Sequence, residues 1–160
     1  DRGLVVPVIR ETDVMTFADK EKNNGELGEK VADTNALKAP DKVVAFITLL
    51  QEADASAGKK VFKKCAACHS VVKDGGNKIG PKLYNIVGRT SGAVSDYKYS
   101  KALISYNKEW SFAELNGFLL KPSTWIKGNK MGFAGLKKEK DRASVIMYLN
   151  QSGDSPKELP

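Results

Sequence analysis

From residue 53 onward the sequence predicts an all-α domain, and three observations carry that prediction. Small and apolar residues recur at helical intervals in 55–64 and again in 139–151. Alternation of the kind strands need is nearly absent, and the intervening stretches are rich in glycine and lysine, where no regular element persists. Helices packed on helices are then the way left to bury the apolar stripes.

Taken in order, the first 50 residues hold one alternating piece, Leu4 to Ile9, which Pro7 demotes to an edge or extended segment. A polar run that includes Lys20–Gly28 follows. Thr16–Lys22 and Asp41–Leu50 read as short helices, the second supported by Pro40 and by Asp41 as N-cap. Charge separates this region from the rest. Residues 1–56 carry 11 acidic and 7 basic side chains, residues 57–160 carry 8 and 19, and the overall net charge is +7. Such asymmetry divides a linker from a domain that meets an oppositely charged partner. The boundary is placed near Gln51, giving an acidic linker or extension over 1–50, a domain over 51–153 and a tail over 154–160.

Within the domain, the helix 55–64 runs directly into Cys65. A glycine-rich loop, Lys73 to Pro81, interrupts the pattern. Ser111 as N-cap with Glu114 at the third helical position forms a capping box, and the helix it opens stops before Pro122. The last helix, about Glu139 to Gln151, places Asp141, Val145, Tyr148 and Leu149 on one face and ends at Gly153. At 160 residues the chain fits one domain with an extension. It contains no run near the ~20 apolar residues that a membrane span needs. The start at Asp1, with no basic and apolar leader, is read as the result of a removed signal or anchor.

Chemistry concentrates in Cys65-Ala66-Ala67-Cys68-His69, which holds both cysteines and the only histidine of the chain. C-x-x-C-H is a haem-attachment pattern. Thiols three residues apart on one turn reach two vinyl groups on adjacent edges of a porphyrin, and the histidine that follows presents an imidazole to the iron. Ala66 and Ala67 are small enough to let the backbone approach the ring. A zinc site would need four ligands, more than the chain's cysteines and histidine supply, and a thioredoxin-like dithiol would follow a strand rather than a lysine-rich helix. A second axial ligand must come from Met15, Met131 or Met147. Met147 sits in a helix, where methionine is usually packing, and Met15 sits in the acidic extension. Met131 lies between Gly128 and Gly132, in a loop free to lay a thioether over a haem face.

Over about residues 53–151 the sequence resembles the class I c-type cytochromes, most nearly the membrane-anchored cytochromes c of bacterial respiratory chains. Gly58 and Phe62 match the residues where the first and last helices cross, facing Val145 and Tyr148. Leu49-Leu50-Gln51-Glu52-Ala53-Asp54 looks like the domain's usual opening. The resemblance implies a cytochrome c fold of about four to five helices around one covalent haem c, with an extended N-terminal segment. It makes His69 and Met131 the iron ligands and gives the Pro81 carbonyl a hydrogen bond from the His69 imidazole. Arg89, Tyr97, Tyr99 and Trp110 would surround the haem propionates, with Phe133 beyond the distal ligand among the cofactor contacts. The family's Pro-Gly-Thr-Lys-Met is here Lys127-Gly128-Asn129-Lys130-Met131, so φ is not fixed at Lys127 and Asn129 stands where a threonine hydroxyl would contact a propionate.

The implied activity is one-electron transport without catalysis, from a bc1-type complex to a haem–copper oxidase, by a monomer on the periplasmic side of a bacterial inner membrane. Haem peroxidase or gas-sensor activity through a labile Met131 is the alternative. Lys60, Lys64, Lys78, Lys127, Lys130 and Lys137 are read as the face that steers toward acidic docking patches. Nucleic acid is not an expected partner, because no groove-reading or stacking motif accompanies the charge.

Overall fold

The computed structural model describes residues 36–160, which lie within one compact unit. The strand expected at Leu4–Ile9, the helix at Thr16–Lys22 and Met15 fall outside the described residues. A short 3-10 turn at Ala36–Lys38 leads into six α-helices: α1 Pro40–Gln51, α2 Ala55–Phe62, α3 Lys101–Tyr106, α4 Phe112–Leu120, α5 Pro122–Trp125 and α6 Glu139–Gln151. Among the described residues no strand forms, and Thr90 and Glu109 make one isolated antiparallel bridge.

Local chemistry explains most of the boundaries. The Asp54 carboxylate caps α2 by accepting from the Ser56 N–H at 2.7 Å. The chain then leaves the helix in tight turns: the N–H groups of Cys65 and Ala66 both donate to the Phe62 carbonyl, and that of His69 to the Cys65 carbonyl. The regular helix therefore ends at Phe62, earlier than the continuous run expected into Cys65. Ser111 caps α4 as expected, its hydroxyl accepting from the Glu114 N–H. Pro122 both follows the end of α4 and opens α5, where its missing N–H costs nothing. Helix α3, capped by Ser100, carries no fully buried side chain, though Ala102, Leu103 and Tyr106 pack against the core from it.

Helix α1 is the main correction. Residues 41–50, read as a short helix but placed in the linker over 1–50, belong to a helix whose Phe46 and Leu50 are buried in the same core as Trp110, Val145 and Leu149. Charge summed along a segment does not report which side chains turn inward: α1 exposes Asp41, Lys42, Val44, Ala45 and Thr48 and buries Phe46 and Leu50. Its N-cap is Ala39 with Pro40 in the first turn, so Asp41 lies inside the helix rather than capping it. The tail is also docked: Lys73 donates to Asp154 at 2.9 Å, Asn150 and Lys157 exchange two hydrogen bonds, and Leu159 packs on the core.

Helices α2 and α6 cross at Gly58. A Cβ there would fall 2.0 Å from the Ser144 carbonyl oxygen, so only glycine lets the two backbones approach this closely. One turn on, Phe62 and Tyr148 pack with ring centroids 5.4 Å apart. On α6, Val145 and Leu149 are buried as expected, but Asp141 and Tyr148 are only half-buried and the neighbouring Arg142 is the charged residue taken inside, at 2% exposure. Its guanidinium donates to Asn116 Oδ1 at 2.6 Å and to the carbonyls of Leu136 and Lys137 at 2.7 and 2.9 Å, with Glu139 at 3.7 Å. A buried cation is tolerated only with such complete pairing. It ties α6 to α4 and to the segment entering α6.

Candidate haem site

Enclosed by α2, α4, α6 and the loops between them is a cavity of about 410 Å³. Its walls are mostly apolar: Phe62, Leu83, Ile86, Trp110, Leu115, Phe118, Leu119, Val145 and Leu149. The cysteines open onto it from the turns after α2, both half-buried and in no disulfide. Burial pushes the Cys65 thiol up, with Cys68 adding and Lys64 opposing.

His69 lines the same cavity and is itself buried. Its Nδ1 lies 2.7 Å from the Pro81 carbonyl oxygen. A carbonyl only accepts, so Nδ1 carries the proton and Nε2 keeps its lone pair for a metal. Burial, seconded by the charge of Lys78, lowers the imidazole pKa, while the Pro81 bond acts the other way; the balance favours the neutral, ligating form. Gly80 is required beside it, since a Cβ would sit 2.3 Å from the imidazole ring.

The remaining residues singled out in the sequence also come together here. Pro81, Arg89, Tyr97, Tyr99, Trp110, Asn129, Met131 and Phe133 all line the cavity, and Met147 does not, being packed in the core. Arg89 donates to the carbonyls of Tyr84 and Lys82, both at 2.9 Å, and burial lowers its pKa against the opposing effect of Tyr99. The Tyr97 hydroxyl donates to the Ile79 carbonyl at 2.8 Å, and the rings of Tyr97 and Tyr99 meet edge to face at 4.8 Å. Asn129 differs from expectation. Its Nδ2 donates to the carbonyls of Pro122 and Ile126, both at 2.7 Å, and its Oδ1 accepts from the Met131 N–H at 2.8 Å. With every polar atom of the amide engaged in the chain, Asn129 is a staple of the Met131 loop. The network was not readable from sequence, because all three partners are backbone groups, of Pro122 in α5 and of Ile126 and Met131 after it.

The donor set fits a covalently held haem: two thiols one turn apart, an oriented imidazole, a thioether from a separate segment and an apolar enclosure. Comparison with known proteins decides the matter. The cytochrome c family model matches residues 55–153. The chain belongs to the cytochrome c family. It is 43% identical over 121 residues to a cytochrome c homolog of Rickettsia typhi, a match covering 76% of this chain and 69% of that protein. With a cytochrome c homolog of Bradyrhizobium diazoefficiens it shares 42% over 113 residues, 70% of this chain and 61% of the relative. A cytochrome c of Theileria parva is 50% identical over 105 residues, 65% of this chain and 90% of the relative. The cytochrome therefore carries covalent haem c at the Cys65-x-x-Cys68-His69 motif and serves as an electron carrier, not an enzyme.

Proposed function

We propose that His69 and Met131 are the axial ligands, and that the protein passes single electrons from a bc1-type complex to a haem–copper oxidase. One observation carries the reading: the His69 imidazole, oriented by Pro81, and Met131, whose backbone N–H is held by Asn129, line the same apolar cavity from separate segments. Haem c held there supplies one-electron chemistry as its iron cycles between ferric and ferrous states. His69, its Nδ1 held by the Pro81 carbonyl, would be the stronger donor to the iron for that bond. The apolar walls keep water out and disfavour the more highly charged ferric state, which raises the potential, as does a thioether ligand.

Lys64 and Lys130 line the cavity, and so does Ile79, which is 78% exposed. Lys60, Lys78, Lys127 and Lys137 are exposed as well. Lys73 is engaged with Asp154. Exposed lysines on a domain with an apolar cofactor cavity suit acidic partner surfaces, with charge acting mainly on the association rate. Charge reversal at the cavity, Lys64→Glu with Lys130→Glu, is expected to cut the second-order rate with a haem–copper oxidase by about tenfold or more at low ionic strength, and the deficit should shrink as salt is added. A rate indifferent to both removes the docking assignment.

The site of action on this reading is the periplasmic side of a bacterial inner membrane, with a monomer anchored through a segment ahead of the chain. The acidic composition of residues 1–35, unlike the basic haem unit, supports a separate linking role for that region. Fractionation of the full-length gene product should place it with the membranes; release with the soluble periplasm would dismiss the anchor.

A further inference from the structure

The loop that bears Met131 contains Gly128 and Gly132, and no proline stands between Pro122 and Pro156 to restrict it. Something else must fix its course. It is secured by α5, a single turn whose last residue, Trp125, is gripped from three sides. The indole N–H donates to the Tyr106 hydroxyl and to Glu114 Oε2, both at 2.9 Å, and the Tyr106 hydroxyl itself donates to the same carboxylate oxygen. The ring lies flush on α4 at Gly117, where a Cβ would come within 2.3 Å of it. The Lys38 ammonium stands 5.1 Å from the ring centroid, a cation–π contact made by the segment preceding α1. From Trp125 the connection to the distal ligand is short: the Pro122 and Ile126 carbonyls on either side of it hold Asn129, and Asn129 holds the Met131 N–H.

We propose that Trp125, clamped by Glu114 and Tyr106, is a positioning residue for Met131, setting how often the thioether leaves the iron. The proposal rests on the Met131 ligation reading above. A loop of this kind opens as a local unit, and an added ligand binds only to the open form, so its apparent affinity reports the open population. Opening that frees residues 126–131 requires the clamp or the Asn129 staple to give way. The clamp's hydrogen bonds to a carboxylate are of the charge-assisted class.

The test uses the ferric holoprotein, with imidazole as the competing ligand and amide hydrogen exchange at Met131 as a readout independent of iron. Trp125→Phe keeps the ring and removes the donor, and Glu114→Ala removes the acceptor. Each is expected to raise imidazole affinity about tenfold, the size of one lost hydrogen bond to a charged group. Each should also speed exchange at the Met131 N–H. The double variant should do little more than either single one, because both cut the same clamp. Glu114→Gln, which retains an acceptor, should recover part of the effect. Leu50→Val in α1 is the control, lowering the melting temperature while leaving imidazole affinity unchanged. If Trp125→Phe lowers the melting temperature like the control but moves neither imidazole affinity nor exchange at Met131, the clamp is only structural and the proposal is overturned. Met131→Ala separates the two readings. Persistence of the near-infrared methionine-to-iron band in that variant defeats the ligation reading, whereas loss of the band there with an inert Trp125→Phe defeats the clamp alone.

Discussion

Gly58→Ala is expected to lower the melting temperature of the haem unit by on the order of 10 °C or more. In isolation the change should help, since alanine is favoured over glycine in a helix by up to ~1 kcal/mol. The crossing reverses the sign. The new Cβ would lie 2.0 Å from the Ser144 carbonyl oxygen and 2.8 Å from Tyr148 Cβ, so the obstacle is backbone of α6 rather than a side-chain tip that could swing away. Relief requires α2 and α6 to separate, loosening Phe62 against Tyr148 and the turns that begin at the Phe62 carbonyl and carry Cys65 to His69. Overpacking of this kind costs about 1–3 kcal/mol and more when backbone must shift. Thermal unfolding followed by circular dichroism decides it; a melt within about 2 °C of the parent would mean that the helices cross with more room than 2.0 Å implies.

The second large effect concerns the iron. Met131→His should lower the reduction potential by on the order of a few tenths of a volt, because replacing a thioether by an imidazole stabilises the ferric form, and axial ligands tune haem potentials over a range of about 0.8 V. The near-infrared methionine-to-iron band should disappear in the same variant. Potentiometric titration checks the first expectation and absorption of the ferric protein the second. A potential unchanged from the parent would remove Met131 from the iron, and with no band in the resting parent the cavity would suit peroxide or gas binding instead.

Much of the site was legible because its residues are of unusual type in a fixed order. Cys65, Cys68 and His69 exhaust the chain's cysteines and histidine, and the Pro81 carbonyl lies where the resemblance put it. The helices with strong local signals, α4 with its Ser111 cap and α6 ending near Gly153, were equally readable. What the sequence concealed was long-range partnership. Phe46 and Leu50 look like any apolar pair until α6 is laid against them, and the acidic charge around them pulled α1 into the linker. Arg142 reads as a solvated helix residue; only the convergence of Asn116 and two carbonyls makes its burial possible. Asn129 was noticed for replacing a threonine, yet its partners are carbonyls that no side-chain pattern displays.

The burial of Phe46 and Leu50 also bears on how this haem unit is moved between proteins. A fusion joined at Ala55, where the family match starts, would strip α1 from the terminal helix and leave a greasy scar on the outside of an otherwise cationic domain. It would discard Lys38, and with it the cation over Trp125. The smallest transferable module therefore starts upstream of Leu37 and retains Leu159, so that both ends of the graft remain seated on the core they help to close.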